Sequence, residues 1–418
     1  MPEQTRHTSA YVLDITRSLR RVGRLPTGVD RVEHAYIRWM LAQPQPVFAL
    51  ARTRLGYVLL GRAGLQGIWD RIDGRVPWGR ARPLSLFGRS DPARRRGESD
   101  LRRLAIARSV PRRLLRMLAA HLPQGTTYLN LGHSNLTPRV LGALRDQNAR
   151  VVVMLHDLIP LSHPDTQRPQ LRAQFAAMVD RVQQGADLIL CNSAATEAEV
   201  TAHMAAHGAA LGTVPQTLVA PLGLDLAAQT ATQPVTMPAG FDPSLPFVMT
   251  LGTIEPRKNH AILLDVWDQL LADKVSLQLV ICGQRGWLNE AVFQRLDQWK
   301  ARGTGVFEIA GLSDGQLAEL MGRAEALVFP SLAEGYGLPV LEARARGCPV
   351  ICSDLAVFRE HLGNNAVYLP ANDAYSWIIT MTELAQAAQA SPHQARAELA
   401  RFVPPRWQQH FDLVAQYL

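Results

Sequence analysis

Two carboxylates separated by seven residues, Glu334 and Glu342, stand in the segment Val328-Phe-Pro-Ser-Leu-Ala-Glu-Gly-Tyr-Gly-Leu-Pro-Val-Leu-Glu-Ala343. An apolar run leaves into a Ser/Glu/Gly loop, and a helix is expected to begin near Leu338. Pro339 then falls in its first turn, where a missing amide costs nothing. Gly335 and Gly337 flank Tyr336, so the backbone there can bend sharply and approach a ligand closely. The free amides of the helix start would face an anion. Glu334 on the loop and Glu342 about one turn inside the helix can both reach one side of a ligand. A carboxylate accepts two hydrogen bonds at once, and sugars and riboses offer paired hydroxyl donors. The competing reading, a capping glutamate plus a solvated one, leaves the glycines and the proline without a purpose.

A second constellation is Leu251-Gly-Thr-Ile-Glu-Pro-Arg257-Lys258-Asn259-His260. Gly252 leaves a strand, and Asn259 is placed to cap the helix that follows. Arg257 can grip phosphate oxygens as a fork and Lys258 as a point charge, so the pair could offset the charge of a departing diphosphate. A third is the buried run Val151 to Leu155 ending in His156 and Asp157, with a structural histidine held by its neighbouring aspartate as the alternative. A fourth, Arg24 to Glu33, leads into a helix. There Thr27, Asp30 and Arg31 could contact a ligand, or Asp30 could be a plain helix cap.

The first segment resembles the Glu-x7-Glu signature of the retaining nucleotide-sugar glycosyltransferases of family four. The likeness runs from Ser313-Asp-Gly-Gln-Leu317 through Ala326-Leu-Val-Phe-Pro-Ser331 to Gly347-Cys-Pro-Val-Ile-Cys-Ser-Asp354. The His156-Asp-Leu-Ile-Pro160 form looks like that of mannosyl-type members. This resemblance implies an α/β fold of the GT-B type, two doubly wound Rossmann-like domains facing across a cleft. It would set Glu334 against the donor sugar hydroxyls, Glu342 against the ribose, and the backbone from Gly335 through Tyr336 and Gly337 to Leu338 around the sugar and phosphates. Gly252, Arg257 and Lys258 would hold the diphosphate, and His156 would point at the sugar. Gly28 would lie in a turn over the donor, although many members carry a glycine pair where this chain has Thr27-Gly28. Thr27, Asp30, Arg31 and Asp157 become acceptor-side candidates, and Ala220-Pro-Leu-Gly-Leu-Asp225 resembles the family's hinge.

The same resemblance implies retaining transfer of a hexose with no metal and no cofactor beyond the nucleotide sugar, and the basic segment from Arg94 to Arg116 suggests a glycan or polyprenyl-diphosphate-linked acceptor at a membrane surface in cell-surface polysaccharide synthesis. The donor that the resemblance favours is GDP-mannose, with a UDP-hexose second. A non-catalytic nucleotide-sugar-binding relative is the remaining alternative.

The elements that must position these residues are legible as strand-like runs alternating with amphipathic ones, the pattern of parallel sheets covered by helices. The expected organisation is a first domain over residues 1–222 with a basic insertion at about 74–120, and a linker over 223–244. A second domain over 245–405 and a closing helix over 406–418 complete it. A chain of 418 residues is long enough for two cores.

Charge divides between the halves. Up to Leu222 there are 30 Lys/Arg against 16 Asp/Glu, a net +14, and the remainder has 14 against 20, a net −6. Arginine is concentrated from Arg94 to Arg116 among leucines, which reads as one basic amphipathic helix. Such a helix can meet an anionic membrane surface or be only a solvated face. Nucleic-acid binding rests on positive charge alone, without aromatic interleaving or a known module. Cys191, Cys282, Cys348 and Cys352 have no metal-ligand spacing and read as buried thiols. With no signal peptide and no long apolar span, the expected location is the cytoplasm, peripheral at the inner face of its membrane. A Gly-x-Gly-x-x-Gly turn and a P-loop are both missing, which argues against nicotinamide and P-loop chemistry.

Overall fold

The computed structural model describes residues 8–81, 91–211, 214–226, 234–391, 393, 396, 399 and 402–418. Residues 82–90 of the expected insertion and 227–233 of the expected linker lie outside the described residues. The chain divides into two compact units: Met1–His156, Gln174–Leu222 and Trp407–Leu418 in the first, Asp157–Ala173 and Gly223–Arg406 in the second. Residues Asp157–Ala173 therefore group with the second half of the chain and the closing helix with the first.

The first unit is built on β1 (Ala10–Asp14), β2 (Val47–Thr53), β3 (Gly56–Gly61), β4 (Ala107–Ser109), β5 (Thr126–Asn130), β6 (Arg150–Leu155), β7 (Leu188–Cys191) and β8 (Gln216–Val219). They form one sheet in the order β4-β3-β2-β1-β5-β6-β7-β8. All neighbours are parallel except β3 with β2 and with β4. Runs such as Ala-Tyr-Val-Leu in β1 and Val-Val-Val-Met-Leu in β6 are buried throughout, as strands covered on both faces must be. The C-terminal helix Trp407–Ala415 closes this unit: Phe411 stacks on Trp39 with ring centroids 5.1 Å apart. Buried His410 sits 2.8 Å from the Tyr36 hydroxyl through Nε2, and burial holds its pKa down at about 4, so it serves as a neutral tie.

The second unit has β9 (Phe247–Leu251), β10 (Gln278–Cys282), β11 (Val306–Ile309), β12 (Leu327–Phe329), β13 (Val350–Ser353) and β14 (Val367–Leu369). All are parallel, in the order β11-β10-β9-β12-β13-β14. Trp267, Trp299 and Trp377 are buried in its core. The four cysteines are free and buried.

In each sheet the chain winds outward in one direction, then returns to the other side of its first strand. The reversal falls between β1 and β5 in the first unit and between β9 and β12 in the second. At such a switch point the loops leaving the carboxyl ends of the two strands diverge, and ligands of doubly wound sheets bind there.

The single basic helix expected from Arg94 to Arg116 is not formed. A helix over Pro92–Leu104 ends at Ala105, which is extended at φ −70° and ψ 133°. The chain then makes β4, a 3-10 turn over Pro111–Arg113 and a second helix over Leu114–His121. Two causes act together: residues 107–109 pair as an antiparallel edge against β3, and Pro111, lacking an amide hydrogen, starts a new helical turn rather than continuing an old one.

Trp267 is 1% exposed and its indole donates to the Leu277 carbonyl at 3.2 Å. Trp267→Ala should remove about 3–5 kcal/mol of stability. The loss is to be read as a lowered denaturant midpoint of the second unit's transition.

Candidate functional site

At the switch point of the second unit, the loop after β9 carries Glu255, Arg257 and Lys258, and the loop after β12 carries Ser331 and Glu334. They meet. Glu334 Oε2 lies 2.8 Å from Arg257 Nη1, and Oε1 lies 2.5 Å from Lys258 Nζ. Ser331 donates its hydroxyl to Oε1 at 2.8 Å. Backbone joins the loops as well, the Leu332 amide donating to the Arg257 carbonyl at 2.8 Å.

Arg257 is bracketed on its other side by Glu255, whose Oε1 accepts from Nε at 3.2 Å and from Nη2 at 2.9 Å. Nη1 also donates to the Ala333 carbonyl at 2.8 Å. Most of the guanidinium's five N–H donors are therefore spent inside the protein. Lys258 is different: among the described residues its ammonium makes one hydrogen bond, to Glu334, and its charge rests 4.2 Å above the Phe329 ring. Gly252 is what admits it. With φ at +139°, a Cβ at Gly252 would stand 3.1 Å from Lys258 Cε, so this glycine clears room for the lysine stem.

Burial works against ionisation of Glu334, and the charges of Arg257 and Lys258 overcome it, taking its pKa down to about 2. Burial lowers the Lys258 pKa, opposed by Glu334. Asp157, in the same unit, is pushed up by burial against the pull of Arg257. Its carboxylate accepts the Ile159 amide at 3.0 Å.

Asn259 stands at the N-cap of the helix His260–Ala272 but does not cap it with its side chain. Its backbone is left-handed at φ 54°, which turns the amide away to donate to the Ala371 carbonyl at 2.8 Å. Gly337, at φ +84°, precedes the helix Leu338–Ala345, and a Cβ there would come within 2.4 Å of Phe358 Cε1. Tyr336 is buried with its ring centroid 4.3 Å from that of His361. Gly335 and Leu338 are half-buried beside it, as is Glu342 inside the helix.

The first unit has its own polar cluster at its switch point. Buried Asp14, at the end of β1, accepts from the Thr16 amide, the Tyr128 hydroxyl and Asn135 Nδ2 at 2.9, 2.9 and 2.7 Å. Glu33 is 1% exposed and accepts from the Ser18 amide at 3.1 Å and the Ser18 hydroxyl at 2.5 Å. Burial drives its pKa up to about 8. A Cβ at Gly132 would strike Glu33 Oε1 at 2.2 Å. His156, just past β6, is buried with Nε2 2.6 Å from the Leu131 carbonyl. Burial, helped by His133, brings it down to about pKa 3, so it is neutral near pH 7.

Thr27 and Asp30 form the capping box of the helix Gly28–Ala42. Asp30 accepts from the Thr27 amide at 2.7 Å and pairs with Arg17 and Arg21 at 2.8 and 2.5 Å. Gly28 is the first residue of that helix and is exposed, and Arg31 is half-buried within its first turn. Glu255, Ser331, Asp14, Glu33 and Gly132 were not singled out from the sequence. Glu255 lies two positions before Arg257 in the quoted motif, and Gly132 in a Gly-His-Ser-Asn run following a strand.

Residues 238–391, most of the second unit, match the family described as Glycosyl transferases group 1. A serotype-specific mannosyltransferase of Escherichia coli is 29% identical over 234 residues, 54% of this chain and 29% of that protein. The O-antigen chain mannosyltransferase B of Escherichia coli is 32% identical over 161 residues, 35% of this chain and 42% of that protein. The chain thus spans less than half the length of either relative. Among solved structures, HepE of Anabaena in complex with UDP and glucose is 15% identical, covers 98% of this chain and 97% of its own, and has a TM-score of 0.59. That likeness establishes the fold as GT-B, two Rossmann-like α/β domains.

The two buried glutamates respond to pH in opposite senses. The Glu334 carboxylate stabilises the fold fully above its ordinary pKa of 4.5, and that contribution is lost as pH falls through about 2. Glu334→Gln should therefore be the less stable protein at pH 7, with the gap closing between pH 4.5 and 2. Glu33 holds its proton in the fold up to about pH 8, against 4.5 ordinarily, so the wild type loses stability as pH rises across that window. Glu33→Gln should flatten the loss, and denaturant midpoints measured from pH 2 to 9 check both.

Proposed function

We propose that this chain is a nucleotide-sugar-dependent hexosyltransferase that transfers mannose from GDP-mannose, with retention of configuration, onto a glycan or lipid-linked glycan in cell-surface polysaccharide synthesis. The observation that carries the reading is the meeting of Glu334 with Arg257 and Lys258 at the second unit's switch point. The family match over 238–391 supports glycosyl transfer, and the names of the Escherichia coli relatives support mannose and a polysaccharide product.

On this reading the roles of the two cations differ. Arg257, clamped by Glu255, Glu334 and Ala333, is the fixed strut that holds the two loops together. Lys258 keeps donors free for the diphosphate oxygens, where a preorganised charge in a water-poor site is worth far more than in solution. Glu334 accepts the sugar hydroxyls. Oε1 already takes Lys258 and Ser331, so of the carboxylate's roughly four lone-pair sites the open one is on Oε2. The amides of Gly335 to Leu338 face the sugar and phosphates, and Glu342 takes the ribose. The bond from the anomeric carbon to the diphosphate breaks, the acceptor oxygen bonds to that carbon from the same face, and a phosphate oxygen receives the acceptor proton. No metal is required in this scheme, because Lys258 and the helix amides stabilise the leaving charge. His156, neutral and held by Leu131, is assigned to the donor sugar, and Asp157 to the acceptor side.

Lys258→Ala and Glu334→Ala should each cut transfer by about 10²-fold or more in variants whose circular dichroism matches the wild type. Near wild-type turnover in either would remove the role assigned to that residue. Donor choice is read by thermal shift: GDP-mannose should raise the melting temperature more than UDP-glucose at equal concentration, because a ligand that binds only the native state stabilises it by mass action. The opposite order would assign a UDP-hexose.

A further inference from the structure

From Leu101 to Arg145 the chain carries eight arginines and no aspartate or glutamate. The structure sorts the arginines of the wider basic segment into two kinds. Arg94 and Arg102 pair with Glu98, 3% exposed, and Arg71 and Arg103 pair with Asp100, 1% exposed. Three of these pairs lie within the helix Pro92–Leu104, and the fourth, from Arg71, ties it to the helix Arg62–Ile72. Arg108, Arg112, Arg113 and Arg116 are exposed and make no ion pair among the described residues.

Between them stand large apolar side chains that the fold leaves outside: Ile106 at 50% exposure, Val110 at 53% and Leu115 at 39%. Arg108 lies in the edge strand β4 with Ile106 and Val110 flanking it by two residues on either side, and all three are exposed. Arg112, Leu115 and Arg116 follow at helical spacing, while Leu114, Met117 and Leu118 turn inward and are buried. The outer border of the eight-stranded sheet is thus a mixed strip of guanidinium and branched aliphatic groups.

We propose that this strip, residues 106–116, docks the protein on the surface of an anionic lipid bilayer. Charge complementarity selects the partner. Lipid phosphates take the guanidinium forks, and the headgroup boundary takes the aliphatic side chains, which a nucleic-acid backbone has no use for. No helix among the described residues is long and apolar enough to cross a membrane, so the contact is lateral. The proposal narrows the membrane-facing segment from Arg94–Arg116 to its second half, because Arg94, Arg102 and Arg103 of the first half are engaged in ion pairs.

The test is co-sedimentation of the full chain with vesicles of phosphatidylcholine alone or mixed with phosphatidylglycerol, without sugar donor, so its outcome is independent of the activity proposed above. Wild type should bind the mixed vesicles at least about tenfold more tightly than the neutral ones and lose binding as salt rises. The quadruple variant Arg108→Gln, Arg112→Gln, Arg113→Gln, Arg116→Gln should bind the mixed vesicles about 600-fold more weakly, at about fivefold per arginine. The milder pair Arg112→Gln, Arg116→Gln, on an exposed helix face, should lose about 25-fold by the same rule, and Arg94→Gln should bind as wild type does. Ile106→Ser with Val110→Ser and Leu115→Ser should weaken binding while leaving its salt dependence. Undiminished binding by the Arg112/Arg116 pair would overturn the proposal. So would duplex DNA bound with the same affinity by wild type and the serine variant while vesicles are ignored, or a dimer abolished by the serine changes in a protein that never binds vesicles.

Discussion

The contact on which the second unit's site depends is the double ion pair from one carboxylate, Glu334, to Arg257 and Lys258. Its geometry follows from topology. A parallel sheet that winds outward from β9 and then returns to β12 leaves two loops at neighbouring carboxyl ends with nothing between them but what they carry. One loop brings two cations, the other an anion, and all three are largely out of water. Removing charges from water is costly, and a buried pair contributes little unless its remaining hydrogen-bonding positions are filled. Here Ser331, Glu255 and the Ala333 carbonyl fill those of Glu334 Oε1 and most of those of Arg257. The carboxylate consequently stays ionised to about pH 2 in a place where burial alone would neutralise it.

The glycines of the site act mainly through space. From sequence, Gly337 suggests close approach of backbone to ligand, and Gly252 marks the exit from a strand. In the fold, a side chain at Gly252 would meet the lysine stem, and one at Gly337 would meet Phe358. Both positions also have positive φ, so steric room and backbone conformation ask for the same residue. Gly283 repeats the logic one strand over, where a Cβ would fall 1.8 Å from the Gly252 carbonyl oxygen. The lysine is thus placed by a small stack of residues that have no side chain of their own.

Several strands and helices of the second unit, such as Phe247–Leu251, Val350–Ser353, His260–Ala272 and Glu290–Arg302, are legible in the sequence itself. Each is a strongly patterned run bounded by Gly, Pro or Asn. The pairing of Glu334 with Arg257 and Lys258 was not legible in the sequence, because 76 residues separate Lys258 from Glu334 and no local pattern reports a contact at that distance. The short edge strand β4 was lost for a related reason. Three residues between two arginine-rich helical stretches carry too little periodicity to outweigh composition, and their extended form is imposed by pairing with β3, a tertiary effect. Asn259 misled in the same way: an Asn before a helix reads as a cap, but a left-handed backbone sent its side chain to Ala371.

The two units carry opposite net charge, and the structure gives that division a local meaning. In the second unit, the negative side chains at the switch point are matched by the cations they hold, so the cluster is already nearly balanced. Within it Lys258 keeps hydrogens to spare where Arg257 has almost none. In the first unit, Glu98 and Asp100 each draw in arginines and engage Arg94, Arg102 and Arg103 of the inner half of the basic segment, together with Arg71. What remains positive is whatever lies beyond the reach of those two acids. The surplus is therefore concentrated on one border of one sheet by the placement of a few buried carboxylates, and composition alone, which counts every arginine equally, could not have located it.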